Sequence, residues 1–184
     1  MRIDRVTGIK KQKGLAIVEM SIVAPILVFS FLAVFEMSQI LQANNILVNI
    51  SREGANLASR SLSQSPKEIV DALALTAAPL DLTEDGVVYI SLVLSDGRRD
   101  PYVQSQYRWT DSGSTKQSQI WSRCRSRDNN GQCNMPRRKQ RLRDFPLALD
   151  NGESVYVFEV SYDYDSIVEF IIQDELQLYS MSML

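Results

Sequence analysis

A single carboxylate, that of Glu19, lies inside an otherwise uncharged and mostly apolar run from Leu15 to Phe35. An ionised side chain near bilayer hydrocarbon is costly and needs a partner or a route to water. Cleavage of the peptide bond between Gly14 and Leu15 would create an α-ammonium group about one helical turn from Glu19. That amine and the Glu19 carboxylate of a neighbouring subunit would attract strongly and fix the axial register of packed helices. The alternative is that Glu19 snorkels to the membrane interface.

The residue types needed for common catalytic sites are missing or badly placed. The chain has no histidine, which excludes histidine bases, Ser-His-Asp triads and His-containing zinc sites. The sequence contains no glycine-rich phosphate-binding loop. We expect the carboxylates between residues 150 and 175 to lie on a solvated face, because they alternate along a predicted strand. The sequence therefore predicts a protein that is not an enzyme and that holds no cofactor or metal.

Two cysteines, Cys124 and Cys133, close the short loop CRSRDNNGQC, in which Asn-Asn-Gly is typical of a turn. A zinc site would need four ligands, and only two are present here. In an oxidising compartment we expect a disulfide worth roughly 2–3 kcal/mol of stability. Two free thiols are the alternative.

Basic residues surround this cysteine loop. There are eight within 121–144, against only Asp128 and Asp144. They are Arg123, Arg125, Arg127, Arg137, Arg138, Lys139, Arg141 and Arg143. One interpretation is an anion-binding surface for extracellular DNA or phosphate-rich polymers, with Trp121 near enough to stack on a base. The other is a solvated loop, or one that contacts an acidic surface such as the chain after residue 144, in the same or a neighbouring subunit. No nucleic-acid-binding motif surrounds the arginines, so no specific nucleic acid partner is predicted.

The apolar run that carries Glu19 is long enough to cross a membrane. It has 21 residues from Leu15 to Phe35, and a helix of that length spans roughly 31 Å. Five basic residues and one acidic residue precede it, which predicts a cytoplasmic N-terminus and an external chain after about residue 36.

Three interpretations of this segment remain open. A cleaved secretory signal would end in small residues, whereas this run ends at Val34-Phe35-Glu36-Met37. An uncleaved signal anchor explains the length and the flanking charges but gives no role to Gly14 and Glu19. A leader cut after Gly14 uses both residues.

The remaining pattern predicts an α+β fold in which the membrane-spanning helix continues into a domain with a small antiparallel sheet. We expect Gly54 to loosen the end of the helix and Pro25 to kink it near mid-bilayer. An apolar stripe continues the helix past the membrane, at Met37, Ile40, Leu41, Leu47, Val48, Ile50, Ala55 and Ala58.

Downstream of the long helix, a short helix at 67–75 is expected to be capped by Ser65. Alternating patterns predict strands at 87–94, 102–109 and 154–164, whereas 166–178 fits either a strand or an amphipathic helix. The apolar face of the third strand, which includes Phe158 and Val160, is expected to pack on the long helix.

The stretch Gly14-Leu15-Ala16-Ile17-Val18-Glu19 resembles the processing site of type IV prepilins, whose peptidase cuts after glycine and whose fifth mature residue is glutamate. The stretch AIVEMSIVAPILV is similar to the start of TadE/TadF-like minor pilins, or pseudopilins, of the tight-adherence (Tad) pilus. That family carries Val-Glu-Phe and a proline six residues after the glutamate; Glu19 and Pro25 keep this spacing, and Met20 departs from it. The segment SREGANLASR at 51–60 is similar to the family's Arg-Glu-Gly-Ala segment.

The residue pattern and the resemblance together predict four segments: a leader at 1–14, a transmembrane helix at 15–36, its continuation at 37–60, and a periplasmic or extracellular domain at 61–184 with a disulfide-closed basic loop near 121–144. The resemblance implies a single-pass protein of the bacterial inner membrane that takes part in pilus assembly, adhesion, biofilm formation or secretion, and entry into the pilus is one of the implied outcomes. The implied partners are the prepilin peptidase, other Tad pilins and the inner-membrane assembly platform. The alternative is an uncleaved single-pass protein whose external domain binds anionic polymers through the basic loop.

Overall fold

The computed structural model describes residues 13–60, 65–97, 100–166 and 176–184. Two helices and five strands follow in chain order: α1 (Lys13–Arg60), α2 (Pro66–Ala74), β1 (Gly86–Leu94), β2 (Tyr102–Arg108), β3 (Gln140–Arg141), β4 (Ser154–Tyr164) and β5 (Leu176–Met183). The fold is α+β, as the sequence predicts. The chain divides into two compact units, Met1–Ser38 and Gln39–Leu184, and α1 contributes residues to both.

In the first unit, α1 is long and apolar enough to cross a membrane. Its most apolar 18-residue stretch has a mean hydropathy of 2.3, and the side chains of that stretch are not buried within the protein. Two hydroxyl groups of this stretch donate hydrogen bonds within the helix, from Ser21 Oγ to the Ile17 carbonyl at 2.6 Å and from Ser30 Oγ to the Ile26 carbonyl at 2.8 Å. Internal pairing of this kind is what a hydrocarbon environment requires of polar groups. Pro25 lies within the helix; the kink predicted there stays a prediction.

In the second unit, the five strands form one sheet in the order β3-β2-β1-β4-β5. Strand β1 is antiparallel to both of its neighbours, and Ile90 lies opposite Tyr107 on one side and Phe158 on the other. The three predicted strands are confirmed, and β3 and β5 were not predicted as such. Of the ambiguous segment 166–178, residues 167–175 lie outside the described residues, and β5 begins at Leu176.

The helices cover one face of this sheet. The core there joins Leu47, Ile50, Ala55 and Ala58 of α1 to strand residues such as Phe158. These four helix positions belong to the predicted stripe. The helix continues through the whole predicted stripe, and Met37 and Leu41 of that stripe are each 59% exposed.

Gly54 is a close-packing position. A Cβ placed there would lie 2.3 Å from Cε2 of the Phe158 ring, far inside normal contact. Only glycine leaves room for that ring. Helix α1 continues past Gly54 to Arg60, and the expected loosening of the helix end stays a prediction.

The opposite face of the sheet is also covered. Val93, Val103 and Val157 pack there in a second core with Trp121 and Leu142, which come from the chain between β2 and β4. The segment 109–139 thus shields the face that the alternation of β4 predicted to be solvated. The prediction is wrong because strand periodicity shows that two faces differ but not what covers the more polar one.

The short helix α2 agrees with its predicted position. Ser65 caps it in a capping box, in which the Ser65 side chain accepts from the Glu68 backbone and the Glu68 side chain accepts from the Ser65 backbone. On the other side of α2, Trp109 Nε1 donates a 2.8 Å hydrogen bond to Asp71. This bond ties the start of the 109–139 segment to the helix.

Candidate functional site

The first candidate site lies at the start of α1. The helix begins at Lys13, so Gly14 and Leu15 fall in its first turn. Glu19 is exposed and has no hydrogen bond or ion pair within the part of the chain that the structure describes. Pro25 follows six residues later in the same helix. The Glu19 carboxylate is therefore available to a partner beyond the described residues or to solvent.

The second candidate site surrounds the cysteines. Cys124 and Cys133 form a disulfide with a Cα–Cα distance of 5.9 Å, as predicted. Within the loop, the Asp128 side chain accepts hydrogen bonds from the backbone N–H groups of Asn130 and Gln132 at 2.9 and 2.8 Å. Gly131 supplies the positive φ of 80° that this turn needs. The disulfide and the Asp128 bonds hold the loop in one conformation.

Next to this loop lies a groove of about 950 Å³, here called the basic groove. It is lined by residues from 119–123, from 138–143 and by Asp100. Five of the eight predicted basic residues line it, namely Arg123, Arg138, Lys139, Arg141 and Arg143. The other three, Arg125, Arg127 and Arg137, do not.

An acid outside the groove lining holds two of the five cations. Arg141 and Asp96 form a two-pronged ion pair at 3.1 and 2.7 Å, and Lys139 Nζ lies 3.0 Å from the same carboxylate. Hydrogen bonds from Arg141 and Lys139 lower the pKa of Asp96 well below its usual range. The predicted contact of basic residues with an acidic surface therefore occurs inside the domain, but with Asp96 rather than with the chain after residue 144.

The Arg127 side chain makes its contacts inside the domain. It is half-buried, donates to Gln106 Oε1 at 2.8 Å and lies 5.3 Å from the centre of the Tyr89 ring. Burial lowers the pKa of its guanidinium group. Arg127 belongs to the internal hydrogen bonds of the loop rather than to an open binding surface.

Trp121 is not placed to stack on a base. It is 5% exposed and packs in the second core, and its carbonyl accepts a 2.9 Å hydrogen bond from the fully buried Gln106. The expectation that Trp121 supplies a stacking surface is wrong, because the loop turns this side chain toward the sheet.

A buried carboxylate that sequence reasoning missed supports one wall of the groove. Glu159, in the middle of β4, is 1% exposed. Its Oε1 accepts hydrogen bonds from the backbone N–H groups of Gln119 and Ile120 at 2.9 and 3.2 Å, and its Oε2 accepts from Ser118 Oγ. The Tyr179 hydroxyl donates to the same Oε1 at 2.9 Å. The carboxylate thereby holds two residues of the groove wall.

The surroundings of Glu159 keep the Tyr179 hydroxyl group protonated, so that it donates a hydrogen bond. Burial, followed by the nearby negative charge of Glu159, raises the pKa of the Tyr179 hydroxyl far above its usual range. The sequence indication of this buried site is that the acid shares its strand face with Val155 and Val157. Among the described residues, no group of three or more His, Cys, Asp or Glu side chains is placed to hold a metal ion.

Together, the apolar helix and the sheet domain define an α+β protein with a candidate membrane-spanning helix. Residues 14–56 match the family model of the TadE-like proteins. The match covers 43 of the 184 residues and confirms the resemblance found in the sequence over that segment. The matched range includes Glu19, Pro25 and the segment Arg52-Glu53-Gly54-Ala55. No curated protein and no solved structure matches the chain.

Proposed function

We propose that this chain is a minor pilin or pseudopilin that takes part in assembling a Tad-type pilus. The observation that carries the proposal is the coincidence of two findings in one segment. The TadE-like match begins at residue 14, and it runs into a helix apolar enough to cross a membrane. Glu19 is the one charged residue of that apolar run and is exposed.

The proposed mechanism begins with cleavage between Gly14 and Leu15 by a prepilin peptidase. The new ammonium group of Leu15 then pairs with Glu19 of a neighbouring subunit as helices pack side by side. Outside water, two such charges attract far more strongly than at a protein surface, so the pair sets the axial register of the helices. The apolar side chains around them supply the contact area.

The proposed location is the bacterial inner membrane, with a cytoplasmic N-terminus and the sheet domain in the periplasm. In this orientation the partners of α1 are other Tad pilins and the inner-membrane assembly platform. The protein is then available for entry into the pilus, which would involve it in adhesion and secretion. The cluster of basic residues before the apolar run supports this orientation. The disulfide supports an oxidising environment for the domain.

N-terminal sequencing of the protein purified from membranes tests the cleavage. We expect the sequence to begin Leu-Ala-Ile-Val-Glu. An intact Met1 would overturn the cleavage and favour an uncleaved single-pass protein.

Replacing Glu19 with alanine tests the pairing. We expect Glu19→Ala protein to remain in the membrane fraction while surface pili, counted by electron microscopy, fall at least about tenfold, because a lost charge pair at low dielectric is worth more than 1.4 kcal/mol. Ser21→Ala is the matched control, since its hydroxyl bonds only to its own helix. Normal piliation in Glu19→Ala cells, or an equal loss in the Ser21→Ala control, would contradict the pairing role.

A further inference from the structure

We propose that the basic groove binds an acidic polysaccharide through carboxylate or sulfate groups that contact Arg123, Arg138 and Arg143. This inference goes beyond pilus assembly and does not depend on cleavage after Gly14. It rests on the charge of the groove, on the fixed position of its walls and on the side chains that are available to a ligand.

The charge of the groove is only partly neutralised within the domain. Asp96 pairs with Lys139 and Arg141, and Asp100 is the one acid in the lining. In the described part of the chain, the guanidinium groups of the three proposed arginines have no hydrogen bond or ion pair. The groove therefore holds donors and positive charge that an anionic ligand would satisfy.

The walls of the groove are held in place before a ligand arrives. On one side, the buried Glu159 carboxylate binds the backbone of Gln119 and Ile120. On the other side, β3 pairs with β2, and Arg141 is held by Asp96 at 2.7 Å. A preformed site loses less conformational entropy on binding than a mobile loop does. The volume of about 950 Å³ lies at the upper end of the usual range for ligand-binding clefts.

The side chains of the groove favour a sugar polymer over a nucleic acid. Guanidinium groups match the planar, two-oxygen edge of carboxylates and the oxygens of sulfates. Single-stranded nucleic acids also need aromatic rings on which bases stack. Trp121 is buried, and the nearby Tyr102 ring is covered by Lys139 Nζ at 4.2 Å from its centre. A charged polymer that needs no stacking surface fits this lining best.

A pair of double variants tests the proposal on the full chain in neutral lipid nanodiscs. Arg123→Gln/Arg138→Gln removes two groove cations, and Arg125→Gln/Arg137→Gln removes two cations from neighbouring positions outside the lining. Both change the net charge equally. Binding of fluorescein-labelled alginate, dextran sulfate, neutral dextran and an oligothymidine strand is measured by fluorescence anisotropy at about 0.15 M salt, where long-range attraction is screened.

We expect alginate or dextran sulfate to bind the wild-type protein and neutral dextran not to bind. The groove variant should weaken that binding at least tenfold, and the control variant less than threefold. Arg123→Lys/Arg138→Lys, which keeps the charge and loses the planar fork, should show an intermediate loss. Unchanged melting temperatures of the variants exclude unfolding as the cause.

Three results would overturn the proposal. Equal weakening by the groove and control variants would show attraction without a site. Tighter, groove-dependent binding of the oligothymidine strand would identify a nucleic acid as the ligand. Absence of measurable binding to both acidic polysaccharides would leave the groove without the proposed ligand.

Discussion

Among single residues, Glu159 has a structural role inside the domain. One carboxylate satisfies two backbone donors and two hydroxyl groups, and it lies in a site that is 1% exposed. A buried charge is tolerated when hydrogen bonds surround it in this way. Its function is to attach the long loop to the sheet.

Glu159→Gln is expected to destabilise the domain by about 2–3 kcal/mol. The amide keeps one acceptor oxygen but turns two donor hydrogens toward groups that are themselves donors. Urea unfolding followed by tryptophan fluorescence measures the change. Glu153→Gln, an exposed carboxylate just before β4, is the control and should stay within about 0.5 kcal/mol of wild type. A loss below about 1 kcal/mol for Glu159→Gln would contradict the anchoring role.

Asp85 carries a charge that weakens the fold near neutral pH. Burial raises its pKa first, and the negative charges of Asp165, Glu84, Asp163 and Asp81 raise it further. Because the folded protein binds this proton more tightly than the unfolded chain, the cost is present above the folded pKa and disappears as the pH falls through that value.

We therefore expect Asp85→Asn to raise the free energy of unfolding at pH 7 by roughly 0.5 kcal/mol, the size of an exposed charge interaction. The gain should vanish near pH 3. Asp81→Asn provides the opposite case, since hydrogen bonds from Thr83 lower the pKa of Asp81. Removing the Asp81 charge should therefore destabilise the protein at pH 7. Urea unfolding at the two pH values measures both, and a gain for Asp85→Asn that persists at pH 3 would disagree with this account.

At the scale of elements, α1 and β4 meet where Gly54 receives the Phe158 ring. The missing side chain on the helix and the large one on the strand form a single packing unit. This contact gives a structural reason for glycine in the Arg-Glu-Gly-Ala segment.

Gly54→Ala is expected to destabilise the protein by about 1–3 kcal/mol, the usual cost of overpacking a core. Thermal unfolding by circular dichroism measures it. The double variant Gly54→Ala/Phe158→Leu should lose less than the sum of the two single changes, because the smaller side chain makes room for the new methyl group. Additive losses would show that the two residues are not coupled.

The sequence was informative about elements because their periodicity and end signals are local. The capping box at Ser65 and the alternation of β4 are complete within a few neighbouring residues. The candidate site at Glu19 was likewise visible, since one charge in an apolar run stands out. The role of Glu159 and the burial of Trp121 depend on a loop that folds back over the sheet from more than 30 residues away. No local pattern predicts such a contact, and β3, with two residues, is too short to show one.

At the scale of the whole molecule, the disulfide provides a test of orientation. If the domain lies in the periplasm, Cys124 and Cys133 should be oxidised in cells, whereas in the cytoplasm they would stay reduced. Thiol labelling after rapid acid quenching should find no free thiol in wild-type cells. Cells that lack periplasmic disulfide oxidation should show two. Free thiols in wild-type cells would place the domain on the other side of the membrane.

The sheet order also bears on how the protein is made. Strand β1 forms between β2, which follows it directly, and β4, which is synthesised about 60 residues later. When the ribosome completes β2, the space beside Gly54 that the Phe158 ring later fills is still empty. One edge of β1 also has no partner strand. In the proposed orientation, in which the domain is exported, the chain exposes an unpaired strand edge until β4 follows, because such distant pairings form slowly. In that orientation, a truncated product that stops before residue 154 would be a target for periplasmic proteases rather than a shortened functional subunit.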